Sequence, residues 1–138
     1  MLRTVALCVE YDGSAFAGSQ LQPAQRSVQG ALEDAWARLH SAHERVILAG
    51  RTDAGVHAAA HTAHVKTTST RDLDTLVRAL NHLTPKDVAI HQAWDLPADF
   101  HARFSARLRR YRYVILNSPI PSPALRSLVL PEPRPPHV

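Results

Sequence analysis

Apolar residues recur along the chain with two spacings, every second residue and every third or fourth. Val5, Leu7 and Val9 fall on one side of an alternating run. That is the period of a half-buried strand, and it predicts β structure over residues 4–10. Tyr11-Asp12-Gly13-Ser14 then breaks the run with turn-forming residues. Val28, Ala31, Leu32, Ala35, Trp36 and Leu39 follow i, i+3, i+4, i+7 spacing. They predict a helix over residues 27–40 with Ser27 capping its start. Residues 45–49 read as a short buried strand closed by Gly50. A further strand is predicted through residues 61–67, with an alanine-rich lead-in over 58–60. Leu73, Leu76, Val77 and Leu80 predict a second helix, begun through Ser69-Thr70 with Asp72 in its first turn, and ended by Asn81 and Pro85. Residues 87–94 alternate again, with Val88, Ile90 and Trp94 expected on one side.

The order β-α-β-β-α-β is that of the ferredoxin-like split βαβ arrangement, an α+β fold with four antiparallel strands and two helices on one face. Alternation of Tyr111, Tyr113 and Ile115 predicts one more strand over residues 111–117, extending the sheet or crossing toward another domain. Residues 118–138 hold most of the chain's 10 prolines. They read as a linker with no helix or strand. The expected organisation is a ferredoxin-like domain over residues 1–117 and a proline-rich linker over 118–138. No internal repeat is visible.

Composition adds bounds. A chain of 138 residues is long enough for one domain with a hydrophobic core. Sixteen basic against twelve acidic residues give a formal charge of +4, which permits a nucleic-acid partner without requiring one. Cys8 is the single cysteine, so an internal disulfide is excluded, and its apolar surroundings suit a buried, inert thiol. No apolar stretch is long enough to span a bilayer, and the N-terminus lacks a signal-peptide pattern. A cytoplasmic location and no membrane partner are expected.

Three constellations bear on chemistry. In Gly50-Arg51-Thr52-Asp53-Ala54-Gly55, a carboxylate stands where a strand runs into a loop, the place where a side chain is aimed into a cleft from a rigid support. Ala54 and Gly55 leave room for a planar ligand. Arg51 is near enough in sequence to hold Asp53 ionised, as a nucleophile or general base requires. An Asp-Ala-Gly surface turn with a local ion pair fits the same spacing. The second constellation, residues 101–112, carries Arg103, Arg107, Arg109, Arg110 and Arg112 with no acid, and Phe104, Tyr111 and the following Tyr113 are interleaved with them. Guanidinium groups match phosphates and aromatic rings stack on bases; a solvated basic face is the alternative. Third, His57, His61 and His64 would share a face in a helix, but no cysteine or spaced carboxylate completes a metal set, and in a strand His64 points away from the other two. Gly13 and Gly18 form neither a dinucleotide fingerprint nor a P-loop, so no nucleotide cofactor is expected.

Five blocks in order resemble the TruA family of tRNA pseudouridine synthases. They are Tyr11-Asp12-Gly13 with Gln20-Leu21-Gln22-Pro23; Ser27-Val28-Gln29-Gly30; Ala49-Gly50-Arg51-Thr52-Asp53-Ala54-Gly55-Val56-His57; Asp99-Phe100-His101-Ala102-Arg103-Phe104-Ser105-Ala106; and Arg110-Tyr111-Arg112-Tyr113. The resemblance implies conversion of uridines in the tRNA anticodon stem-loop to pseudouridine without metal or organic cofactor. Asp53 falls on the family's catalytic aspartate, Arg51 on its motif arginine and Tyr111 on its active-site tyrosine. Gln20, His57, Arg103, Arg110 and Arg112 become candidate tRNA contacts. Two departures stand out. Ser19 occupies a position where the family usually has tryptophan, which bears on local packing or one RNA contact. Family members are also about twice as long, so the chain resembles an N-terminal half whose partner is an absent C-terminal half, with homodimers expected of the full-length protein and little activity expected of the half alone. A non-catalytic RNA-binding module, or a half that folds only on pairing with a second chain, are the competing expectations.

Overall fold

A computed structural model describes residues 1–135. The chain divides into two compact units, Met1–Ala106 and a second beginning at Arg107.

The first unit holds six regular elements: β1 (Arg3–Tyr11), α1 (Val28–Leu39), β2 (Val46–Leu48), β3 (Ala58–Thr67), α2 (Leu73–Leu83) and β4 (Val88–Leu96). A single 3-10 turn over Gly13–Ala15 follows β1. The strands form one sheet in the order β2-β3-β1-β4, every pair antiparallel. This is the α+β, ferredoxin-like arrangement that the hydrophobic pattern predicts. Val5, Leu7, Val9 and Tyr11 of β1 turn to one face, where they meet Val28, Leu32, Ala35 and Trp36 of α1 and Leu76 and Leu80 of α2. Alternation along the strand and the helical stripes thus close on a single core. No helix among the described residues is long and apolar enough to cross a membrane.

Capping is mostly as the residues dictate. Ser27 accepts from the Gly30 amide at 3.0 Å. The second helix is corrected in two places. Its cap is Asp72, whose carboxylate accepts from the Thr75 N–H at 2.7 Å, rather than Ser69-Thr70. Asn81 does not end the helix. It lies inside it and pairs twice with the backbone of Ile90, at 2.8 Å each, on the open edge of β4. Unpaired edge groups need partners, and a helical amide side chain supplies them here.

Trp94 is on the wrong side in the sequence reading. The register of β4 against β1 slips between Cys8 and Val9, where Cys8 faces Gln92 and Val9 faces Ile90. His91 is therefore an extra, bulged residue that inverts the alternation. Val88, Ile90 and Ala93 face the helices, while Trp94 stands opposite Ala6 on the other face. A second irregularity sits where β3 begins: Val9 faces His61, but Tyr11 faces Ala58.

In the second unit, the strand expected over residues 111–117 is reduced to Ile115–Leu116 (β5). It extends no part of the four-stranded sheet. It pairs in parallel with Leu130–Pro131 (β6), inside the stretch read as free of strands. Leu130 and Glu132 donate their amides to Val114 and Leu116, at 2.6 and 2.9 Å. The proline in β6 has no amide to lose, so a short edge pairing tolerates it. The expected features at Pro136 lie outside the described residues.

Candidate active site

The Asp53 loop grows out of β2. After Leu48, Ala49 still donates its amide to Thr62 of β3, at 2.8 Å. The chain then leaves the sheet at Gly50 and returns at Ala58. Asp53 C=O accepts from Val56 N–H at 3.1 Å, and Gly55 in this turn has φ 82, a value that favours glycine. Beneath it, Gly13 has no room for a side chain: a Cβ there would stand 1.9 Å from the Val56 carbonyl oxygen. Its amide donates to His57 Nδ1 at 2.9 Å. The Tyr11-Asp12-Gly13 block is therefore the floor on which the Asp53 turn rests.

The upstream half of the loop is tied by side chains from elsewhere. Thr52 N–H donates to Ser19 Oγ at 2.7 Å, and Ser19 N–H donates back to Thr52 C=O at 3.0 Å. Tyr11 Oη lies 2.8 Å from Thr52 Oγ1 and 3.0 Å from His61 Nδ1. Gly50 N–H donates to His61 Nε2 at 3.2 Å. Ser19, Tyr11 and His61 come from three segments that no local sequence pattern links to Asp53. The sequence reading saw Ser19 only as a departure. It is buried and hydrogen-bonded, so its hydroxyl has a structural task that a tryptophan there would not share.

Asp53 and Arg51 are both exposed. Among the described residues no ion pair joins them. This corrects the expectation that Arg51 sits against the carboxylate, and it equally removes the ion pair from the surface-turn reading. The loop is fixed through its backbone, which leaves both charged side chains directed at solvent. Asp12, next to the loop, is held below the usual carboxylate range by hydrogen bonds from Ser14 and by the nearby His57 ring.

The other candidates are distributed. Gln20 is exposed, directly after buried Ser19, and His57 is half-buried with Nδ1 committed to Gly13. Arg103 belongs to a turn after β4 that is fastened to the sheet by Ala102 N–H donating to His64 Nδ1 at 2.9 Å. Burial, with the charges of His101 and Lys66, lowers the His64 pKa to about 4, so the ring is neutral at pH 7 and its proton sits on Nε2. The Phe104 ring stacks on His101 at 4.2 Å and remains 78% exposed; the Arg103 guanidinium lies over it. Tyr111, Arg110 and Arg112 are exposed residues of the second unit. His61 and His64 point to opposite faces of β3, and among the described residues no three histidine, cysteine or acidic side chains converge to hold a metal ion.

A split βαβ sheet with an acidic residue held on the loop after β2 defines a class, and comparison with known proteins supplies the family. The profile of the tRNA pseudouridine synthase family matches residues 7–105, and the chain belongs to that family. It is 54% identical over 125 residues to tRNA pseudouridine synthase A of Roseiflexus castenholzii, covering 91% of this chain and 46% of that protein. It is 53% identical over 129 residues to the enzyme of the same name from Chloroflexus aurantiacus, covering 94% and 46%. With Pseudoalteromonas translucida tRNA pseudouridine synthase A the identity is 47% over 116 residues, 84% and 44%. The chain thus spans about half the length of the curated relatives it matches.

Proposed function

We propose that this chain is the aspartate-bearing half of a tRNA pseudouridine synthase acting on uridines of the anticodon stem-loop, with Asp53 as its catalytic carboxylate. The observation that carries the reading is the Asp53 loop: an exposed carboxylate on a backbone tied at Gly50, Thr52 and Gly13. A solvated surface turn has no need of such anchoring, whereas a group that must meet a reacting carbon does. The reaction breaks the C1′–N1 bond, turns the uracil and rejoins it through C5. Asp53 attacks the nucleotide or removes a sugar proton. Tyr111 stacks on the uracil, with its hydroxyl available for the C5 proton, and Arg51 fills the space of the flipped base.

A stem uridine must first leave its stack, at a cost of roughly a few kcal/mol. Phosphate contacts from Arg103, Arg110 and Arg112, with Gln20 and His57, offset that cost. The relatives' additional length corresponds to a second half that closes the cleft, and the full-length protein acts as a homodimer. The half alone is expected to turn over little, because an open cleft neither excludes water nor holds a flipped base.

Tritium release from tRNA labelled at uridine C5 tests this, using the chain alone and joined to the C-terminal half of the Roseiflexus relative. The joined protein is expected to release tritium, and Asp53→Asn to lower kcat by about 10²–10⁴-fold. Turnover that survives Asp53→Asn overturns the role of Asp53. Salt-dependent tRNA binding with no pseudouridine formed by the joined protein favours a non-catalytic RNA-binding module.

A further inference from the structure

We propose that Ser19, Tyr11 and His61 are positioning residues for Asp53, a three-residue clamp that fixes the backbone of residues 50–52 and thereby aims the carboxylate. The proposal rests on the catalytic reading of Asp53, but its physical core stands apart from that reading.

Gly50 N–H can only donate, so His61 Nε2 must offer a lone pair. The ring is then the neutral tautomer with its proton on Nδ1, and that proton goes to Tyr11 Oη. Tyr11 Oη, having accepted, shares a further hydrogen bond with Thr52 Oγ1, in which either hydroxyl can donate. The chain of bonds links Gly50 through His61 and Tyr11 to Thr52. Ser19 completes it from the other side with a reciprocal pair, its hydroxyl accepting from Thr52 N–H and its amide donating to Thr52 C=O. Thr52 is thus held at its amide, its carbonyl and its side chain, one residue before Asp53.

The clamp reaches across the fold. Tyr11 ends β1 and is 3% exposed; Ser19 lies in the following loop and is 1% exposed. His61 stands on β3, beside the register slip between Val9 and Tyr11. Asp53 keeps its side chain for solvent, so its aim depends on the backbone that precedes it. A half-buried Thr52 amide deprived of its acceptor turns to water or shifts the loop to find another partner, and either one loosens the residue that follows.

The test has two arms. In the 138-residue chain itself, hydrogen exchange and nitrogen-15 shifts measured by NMR are expected to show a protected Thr52 amide and a His61 ring protonated on Nδ1. Ser19→Ala should speed Thr52 exchange at least tenfold and lower the order parameter of the Asp53 side chain, while β1 and β3 amides stay protected; Ser19→Thr should restore both. Tyr11→Phe, which removes one oxygen only, should loosen Asp53 without speeding Thr52 exchange to the same degree. Unchanged Asp53 order in both Ser19→Ala and Tyr11→Phe, with the sheet intact, overturns the proposal.

In the joined protein, Ser19→Ala is expected to lower kcat by about 10²-fold with KM for tRNA changed less than about twofold, and Ser19→Thr to recover it. A loss confined to KM overturns positioning. Absence of turnover in the joined protein with Asp53 intact counts against the catalytic reading, and the NMR arm then decides the clamp by itself.

Discussion

Two glycines of the aspartate loop and its floor do different work. Gly55 has open space around the position of a missing Cβ, and only its φ of 82 resists a side chain. Gly13 has an ordinary backbone but faces the Val56 carbonyl oxygen, which as main chain cannot swing aside. Gly55→Ala is therefore expected to lower unfolding stability by about 1–2 kcal/mol, the cost of a left-handed residue. Gly13→Ala should cost at least the upper part of the ~1–3 kcal/mol usual for overpacking, and it should also displace the 53–56 turn. Urea denaturation of both variants measures the first effect, and the shift of the Val56 amide resonance the second. Neither distinction was legible in the sequence, where Gly13 read as a turn former and Gly55 as a small residue leaving room for a planar ligand. What was legible at this scale was the chemical identity of the site: Asp53 and Arg51 could be singled out because their type and position carry meaning. The tasks of Tyr11, Ser19 and His61 could not be read, because they are defined by partners 41, 33 and 11 residues away.

At the scale of elements, periodicity revealed all six elements of the first unit and their order. It failed where one residue changed the phase, at His91, and where a polar side chain served a neighbour instead of its own helix, at Asn81. The turn carrying Arg103 is a further case. It is attached to the sheet through neutral His64, whose folded pKa of about 4 lies below the ordinary 6.5. The unfolded chain therefore binds a proton more readily, and this contribution to stability is complete above about pH 6.5 and declines as the pH falls toward 4. Below about pH 4 the native ring protonates too, Nδ1 becomes a donor, and its bond from Ala102 is lost. Acidification is expected to expose the Ala102 amide before those of β1. Hydrogen exchange between pH 7 and 4, corrected for intrinsic rates, checks the order, and His64→Gln should flatten the pH dependence of Ala102 protection.

For the whole molecule, the arginines matter more than the net charge. A charge of +4 over 138 residues is modest, but Arg103, Arg107, Arg109, Arg110 and Arg112 are all exposed within ten residues of sequence. If each meets a phosphate, the affinity for tRNA falls steeply with salt. Replacing Arg110 and Arg112 by alanine together is expected to reduce the slope of log K against log salt by about two, with similar weakening for unrelated RNA hairpins. Filter binding across a salt series measures it; an unchanged slope would mean these two residues touch no backbone phosphate. Charge clustering was readable from the sequence. The division after Ala106 was not, because the alternation of residues 111–117 reads like any other strand, and the pairing of Ile115–Leu116 with Leu130–Pro131 has too short a pattern to announce itself.

The bulge at His91 bears on how this protein tolerates the loss of a residue. Deleting one position from a strand normally rotates everything beyond it to the opposite face. Here the pairs Val9–Ile90 and Cys8–Gln92 already leave His91 unmatched, so its removal would join two segments that are each in phase. Ala93 would still meet the helices and Trp94 would still oppose Ala6. The losses would be the exposed contact of His91 with Glu10 and some local twist. Deletion of His91 is expected to leave a cooperative thermal transition, whereas deletion of Ala93, two residues further on, should abolish it. An extra residue in the middle of an edge strand thus makes β4 a strand from which a codon could be dropped without turning its side chains inside out.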